Sequence, residues 1–310
     1  MGIVRKLFGH KQQPEFDDSR TEEEASAGDE MQIVPAQAAA RAQAAARTEA
    51  EHMPSLRVGR ASDTGLVRTH NEDALLVFES QHHADKVFDL FALFILADGM
   101  GGHQAGEVAS ALAARTVAHQ VLQHVYLPYL SSGQADASQL PLTEALTRAV
   151  DEASQLVYKT VPGGGTTLTC ALVVKDRAVL AHVGDSRAYL YHDGELRQIT
   201  KDHSYVDKLV ELGQLTAEEA AAHPQKNVLY RAVGQEGTLE VDTYLETLRG
   251  GNRLLLCCDG LWSMVPEREI ARILGSAATP QEACDQLVGA ANTAGGRDNI
   301  TAIVVEMNAK

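Results

Sequence analysis

The feature that most constrains the fold is an apolar run that ends in a carboxylate and a glycine-rich turn. Residues 90–97 are Leu, Phe, Ala and Ile, and Asp98-Gly-Met-Gly-Gly102 follows directly. Eight such residues suit a strand buried on both faces and are too few to span a bilayer. Asp98 is therefore expected at the end of a strand, where the glycines let the backbone approach an ion or a phosphate. Taken alone, the same residues also fit an ordinary Asp-Gly turn.

The same arrangement recurs at four more predicted strand ends. A carboxylate adjoins the apolar run each time: Asp259 after 254–258, Asp185 after 181–184, Asp298 before 300–305, and Glu72 and Asp73 before 74–78. Carboxylates collected at strand ends beside glycine provide the oxygen ligands that hard divalent cations such as Mg²⁺ or Mn²⁺ prefer. The repetition favours a metal site over five unrelated turns.

Composition narrows the class of protein. The chain has 310 residues and a formal net charge of -15 at pH 7, which argues against nonspecific binding to nucleic acid. Its four cysteines form no C-x-x-C pair, so we interpret them as reduced core residues of a cytoplasmic protein. We recognise no signal peptide and no transmembrane segment.

The N-terminal part differs from the remainder of the chain. Residues 1–54 include an acidic stretch and an alanine-rich stretch with little to bury, which predicts a disordered or weakly structured tail. One folded domain is expected over residues 55–310. A second interpretation is that the basic and partly apolar segment 1–11, from Met1 to Lys11, docks on a membrane surface or a partner.

The order of predicted elements indicates an α+β fold. Helices are expected early, at 106–125 and 142–157, and late, at 266–274 and 279–294, with β-hairpins between the two pairs. The first helix is expected to bury a stripe that includes Val108. Residues 81–89 and 128–141 are predicted as loops and 239–244 as a strand. Because helices do not alternate with strands, we expect mostly antiparallel sheets covered by helices.

Seven segments, in the same order along the chain, resemble the bacterial metal-dependent serine/threonine phosphatases of the protein phosphatase 2C (PPM) family. The segments are Ser62-Asp-Thr-Gly-Leu-Val-Arg68, Asn71-Glu-Asp-Ala74, Ala97-Asp-Gly-Met-Gly-Gly-His103, Gly165-Thr-Thr-Leu-Thr169, Val183-Gly-Asp-Ser-Arg187, Cys258-Asp-Gly-Leu261 and Arg297-Asp-Asn299. The resemblance implies an α/β/β/α sandwich with a metal site between the edges of two antiparallel sheets.

The resemblance also implies roles for individual residues. Asp98 would bridge two tightly bound Mn²⁺ or Mg²⁺ ions, and the Gly99 carbonyl would bind one of them. The remaining implied metal residues are Asp259 and Asp298, then Glu72 and Asp73 through water, and Asp185 at a weaker third ion. Arg68 would hold the substrate phosphate, since its planar fork matches phosphate oxygens.

The implied reaction is hydrolysis of phosphoserine and phosphothreonine by a metal-bridging hydroxide, without a serine or cysteine nucleophile. The implied partners are phosphorylated proteins and a cognate Ser/Thr kinase, whose action the enzyme would reverse. Two alternatives remain: a catalytically inactive scaffold that binds phosphoproteins, and a hydrolase of small phosphoesters.

Three positions depart from the family pattern. Met100 stands where many eukaryotic members have a histidine proposed as general acid, and methionine cannot donate a proton. His103 and His203 are conceivable substitutes, although His203 fits a structural hydrogen bond equally well. Asn227 stands where bacterial members often have serine in the flap, which is expected at residues 205–233.

Overall fold

The computed structural model describes residues 55–308, apart from residues 85–86, 102–103 and 133–140. The predicted tail 1–54, its docking segment 1–11 and His103 therefore lie outside the described residues. The start of the folded domain at residue 55 stays a prediction.

Two antiparallel sheets form the centre of the fold. In spatial order, the first sheet contains β1 (Leu56–Asp63), β11 (Ile300–Met307), β10 (Arg253–Cys257), β7 (Arg187–His192) and β8 (Glu195–Gln198). The second contains β2 (Asp73–Ala84), β3 (Val87–Met100), β5 (Leu168–Val174), β6 (Arg177–Val183) and β9 (Asp242–Thr247), and the short β4 (Gly165–Thr166) pairs with the end of β3.

Helices cover the outer face of each sheet. On the second sheet lie α1 (Gln104–Val121), which continues through a π-helical turn (Leu122–Tyr126) into α2 (Leu127–Ser132), and α3 (Leu142–Thr160). Between β8 and β9 the chain forms α4 (Tyr205–Glu211) and α5 (Ala217–Ala222). On the first sheet lie α6 (Asp259–Trp262), α7 (Glu267–Ser276) and α8 (Pro280–Thr293).

Strand β3 shows why the layers stack in this way. Phe91, Leu93 and Ile95 pack against the helices α1 and α3. Their neighbours Phe94 and Leu96 point to the opposite face and join the core between the two sheets. Successive side chains of a strand alternate between its faces, so one apolar run supplies two cores. The predicted α/β/β/α sandwich is confirmed.

Several predicted boundaries are wrong. The loop predicted at 81–89 belongs largely to the hairpin of β2 and β3, because backbone pairing does not require apolar side chains. The loop predicted at 128–141 begins as helix α2, since proline is tolerated in a first helical turn. The strand predicted at 239–244 lies at Asp242–Thr247.

The stripe predicted for the first helix is also wrong in part. Val108 is 49 % exposed, whereas Ala109, Ala113, Val117 and Val121 are buried. The small side chains of Ala109 and Ala113 let the helix approach the sheet closely, and Val108 is left on the exposed side. None of the described helices combines the length and the apolar character that crossing a membrane requires.

Candidate metal centre

Six of the predicted metal residues and Arg68 line one cavity of about 420 Å³. The metal residues in its wall are Glu72, Asp98, Gly99, Asp185, Asp259 and Asp298. The seventh, Asp73, lies directly beside Asp98, because the two residues are partners in the antiparallel register of β2 and β3. Segments separated by more than two hundred residues in sequence therefore meet at one place.

Backbone hydrogen bonds fix Asp98 at the end of β3. The Asp98 N–H donates to Thr167 Oγ1 at 3.0 Å, and the Asp98 carbonyl accepts from Thr167 N at 2.9 Å and from Thr166 Oγ1 at 2.8 Å. A Cβ at Gly99 would lie 2.3 Å from the Gly106 carbonyl oxygen. Glycine at this position is thus required for the close approach of helix α1 to the carboxylate cluster.

Asp259 is brought to Asp298 by an equally close approach. Asp259 is the first residue of the short helix α6, which follows directly on β10. A Cβ at Gly260 would lie only 2.0 Å from the carbonyl oxygen of Asn299. Helix α6 therefore packs directly against the segment that carries Asp298.

Asn299 holds the loop that carries Glu72 and Arg68. Its Oδ1 accepts from the Glu72 N–H at 2.8 Å, and its Nδ2 donates to the carbonyls of Thr64 and His70 at 3.0 and 2.9 Å. The buried side chain of Asn299 thereby links the loop of residues 64–72, which precedes β2, to the start of β11. The sequence motif Arg-Asp-Asn contained this residue, but its role in the loop was not foreseen.

Burial and mutual repulsion raise the pKa values of the clustered carboxyl groups. Burial and the nearby charges of Asp73 and Asp259 raise the pKa of Asp98 well above its usual value. Burial is also the main cause that raises the pKa of Asp73 to about 7 and that of Asp259 to about 6. The pKa of Asp185 is likewise raised well above its usual value by burial and by the charge of Asp259.

The positive charge in the cavity wall falls well short of the negative charge. In the described part of the chain, one arginine, Arg68, faces five cavity-lining carboxylates, and its Nη2 donates to Asp298 Oδ2 at 2.6 Å. Asp73 Oδ2 accepts from Thr301 Oγ1 at 2.6 Å, whereas the buried Asp73 Oδ1 has no hydrogen-bond partner. Clustered carboxylate oxygens with little cationic compensation fit the donor set of hard divalent cations.

The structure decides between the two interpretations of His203. His203 is 1 % exposed and does not line the cavity; its Nδ1 accepts from the Gly184 N–H at 3.1 Å. The structural interpretation of His203 is therefore the correct one, and His103 lies outside the described residues. Met100 lines the cavity, as do Asn227 and Leu229 from the predicted flap.

Sequence reasoning missed three cavity or supporting residues. His70 lies in the cavity wall, two positions after Arg68, and was not considered. Thr167 and Trp262 contact the backbones of Asp98 and Asp185. Thr167 lies within a segment that matched the family pattern, which was the available signal, whereas the contact of Trp262 depends on tertiary packing.

Comparison with known proteins identifies the family. A family model described as "Protein phosphatase 2C" matches residues 67–290. The chain therefore belongs to the protein phosphatase 2C family and is a protein phosphatase. The resemblance inferred from seven short motifs is confirmed.

Individual relatives agree with this assignment. The chain is 40% identical over 257 residues to the serine/threonine phosphatase stp of Listeria innocua, covering 80% of this chain and 94% of that protein. The S. agalactiae serine/threonine phosphatase structure has a TM-score of 0.70 and 33% identity, and the match covers 83% of this chain and 100% of the other. The catalytic domain of the phosphatase PstP, solved in complex with two manganese ions, has a TM-score of 0.64 and 35% identity over 83% and 100% of the two chains.

The raised pKa values predict how the metal-free protein responds to pH. A carboxyl group whose pKa is raised on folding favours the folded state below its unfolded pKa, and this stability is lost as pH rises through the folded pKa. In the presence of a chelator, the free energy of unfolding should therefore fall between about pH 4 and pH 7. Asp98→Asn removes one of the repelling charges, so the variant should be more stable than wild type by about 1 kcal/mol or more at pH 7.5.

Urea denaturation in chelator at pH 5.0 and 7.5 measures the difference in the free energy of unfolding between Asp98→Asn and wild type. Asp176→Asn, at an exposed position outside the cavity, is the matched control and should show no such difference. If Asp98→Asn is equally or less stable than wild type at pH 7.5 in chelator, the repulsion is not present.

Proposed function

We propose that this phosphatase hydrolyses phosphoserine and phosphothreonine in proteins with two divalent cations, Mn²⁺ or Mg²⁺. Asp98, Gly99, Asp259 and Asp298 would hold these ions, with Glu72 and Asp73 acting through water. Asp185 would hold a third, weaker ion. The observation that carries the proposal is the convergence of five carboxylates and one arginine on a single cavity.

The proposed ions supply what the side chains lack. When bound, divalent cations lower the pKa of water and neutralise charge on a phosphate. No serine or cysteine is among the described cavity-lining residues. Thr167 Oγ1 is already shared by Asp98 N–H and Ser186 Oγ, so it is poorly placed to act as a nucleophile. Water is therefore the nucleophile that the cavity supports best.

Arg68 would bind the phosphate of the substrate. Its side chain is 51% exposed at the cavity wall, and its guanidinium lies beside the carboxylate cluster through the contact with Asp298. The pKa of Arg68 is raised, mainly by its hydrogen bond to Asp298, so the group remains a cation. A planar guanidinium can bind two phosphate oxygens at once and thereby orient the phosphorus for attack.

The expected partners follow from this chemistry. Phosphorylated proteins are the proposed substrates, and a Ser/Thr kinase would produce them. The four described cysteines are free and buried, which supports a reducing compartment such as the cytoplasm. The names of the phosphatase relatives support the same substrate class.

Phosphate release from a peptide panel tests the proposed function. The full chain is incubated with phosphoserine, phosphothreonine and phosphotyrosine peptides in Mn²⁺, in Mg²⁺ or in chelator. We expect release from phosphoserine and phosphothreonine peptides with either ion and none in chelator. Asp259→Asn should be inactive in every condition, while its circular dichroism spectrum matches wild type. Activity in chelator would contradict the metal assignment, and activity on small phosphoesters alone would contradict the protein substrate.

Replacing Arg68 separates phosphate binding from metal binding. Arg68→Ala should lower kcat/KM on a phosphothreonine peptide by about tenfold to a hundredfold, or about 1.4 to 2.8 kcal/mol, because a charge-assisted contact is lost. Its affinity for Mn²⁺, measured by isothermal titration, should stay within about twofold of wild type. Arg115→Ala, which removes an exposed arginine from α1, is the control and should leave both quantities unchanged. If Arg68→Ala keeps the wild-type kcat/KM, Arg68 does not bind the phosphate and is an ordinary surface residue.

A further inference from the structure

Helix α6 connects two parts of the carboxylate cluster. Its first residue is Asp259 and its last is Trp262, so the two are one helical turn apart. Through Gly260, one side of this helix packs against the segment that carries Asp298. The helix is thus fixed on the side of the proposed pair of tight ions.

Trp262 links helix α6 to Asp185 by a hydrogen bond. Its indole Nε1 donates to the carbonyl oxygen of Asp185 at 2.9 Å. Asp185 lies in the turn between β6 and β7, where the chain crosses from the second sheet to the first. The hydrogen bond therefore joins a connection between the two sheets to the helix that begins with Asp259.

The indole ring is also held by Arg187, which follows Asp185 by two residues. The Arg187 guanidinium lies 3.6 Å above the centre of the Trp262 ring, a cation–π contact. Arg187 in turn donates to both carboxylate oxygens of Asp202, from Nε at 3.1 and 3.0 Å and from Nη2 to Oδ2 at 2.8 Å, and to the Tyr189 hydroxyl at 3.0 Å. Trp262 thus contacts both the turn, at Asp185, and the first residue of β7, at Arg187.

Other contacts hold the neighbours of Asp185. His203 bonds to both the N–H and the carbonyl of Gly184, and Thr167 Oγ1 lies 2.8 Å from Ser186 Oγ. Trp262 differs because it reaches the backbone of Asp185 itself and relates it to Asp259. Two carboxylates that bind neighbouring ions must keep a defined separation, and this contact can supply it.

We propose that Trp262 is a positioning residue that fixes Asp185 relative to Asp259 and thereby enables Asp185 to bind the third, weaker cation. The inference rests on the proposed function, since it concerns an ion of the same centre. Trp262 is also the one tryptophan of the chain, so tryptophan fluorescence reports on the surroundings of this residue.

Two substitutions separate the indole N–H from the ring. Trp262→Phe keeps an aromatic face for Arg187 and removes the donor. Trp262→His restores a donor, because imidazole Nε2 occupies the ring position of indole Nε1. Ser263→Ala, at the adjacent exposed residue, is the matched control.

We expect Trp262→Phe to raise the Mn²⁺ concentration for half-maximal turnover by about fivefold, the effect of losing one hydrogen bond. Turnover at saturating Mn²⁺ should stay within about twofold of wild type, and electron paramagnetic resonance should still detect two tightly bound ions. Trp262→His should recover part of the lost Mn²⁺ response. In wild type, the fluorescence of Trp262 should change as the weak ion binds, and Asp185→Ala should abolish this change.

Two outcomes would overturn the inference about Trp262 and leave the proposed function intact. One is a wild-type Mn²⁺ response in Trp262→Phe; the other is an equal loss of turnover at every Mn²⁺ concentration together with a lowered Tm, which marks a purely structural role. Absence of tight Mn²⁺ binding in wild type would contradict the proposed metal centre itself and this inference with it.

Discussion

Repulsion among partly buried carboxylates is the constraint on which this structure depends. Asp73 and Asp98 are direct partners in the ladder of β2 and β3, a position where like charges destabilise a sheet. Asp259 adds to the repulsion, which contributes to the raised pKa of both residues. A cluster of this kind lowers the stability of the metal-free fold and persists only if the surrounding structure holds it in place.

The surrounding structure does so with two kinds of interaction. Three hydrophobic cores, one between the sheets and one beneath each helical layer, supply the favourable burial. Hydrogen bonds that the Asp98 and Glu72 N–H groups donate to the side chains of Thr167 and Asn299 then fix the backbone without using the carboxylate oxygens. The oxygen atoms thus remain available for cations while the chain that carries them is rigid. Rigidity of this kind is what a metal centre needs to keep its ligand geometry.

The sequence predicts the parts of this arrangement that depend on local chemistry. The apolar run before Asp98, and those next to Asp259 and Asp298, mark strands, and the carboxylates mark their ends. The capping box that Thr216 and Glu219 form at the start of α5 is likewise a local pattern that the sequence contains. Matching motifs in the family order added the layer architecture, which periodicity alone did not provide.

The remaining features depend on tertiary contacts that no local pattern encodes. Val108 is exposed because the sheet meets the alanine face of α1, and hydrophobicity alone favours valine for the core. His203 does not line the cavity, because its two ring nitrogens are hydrogen-bonded to the Gly184 N–H and to Asp242. Trp262 finds the Asp185 carbonyl only after two sheets and a one-turn helix have come together.

A crystal soaked in Mn²⁺ and measured at the manganese absorption edge tests the two-cation centre most directly. We expect two strong anomalous peaks at low Mn²⁺ within ligand distance of Asp98, with Asp259 and Asp298 on one of them, and a weaker peak beside Asp185 at high Mn²⁺. Strong peaks elsewhere on the protein, with none in contact with Asp98 or Asp259, would contradict the assignment.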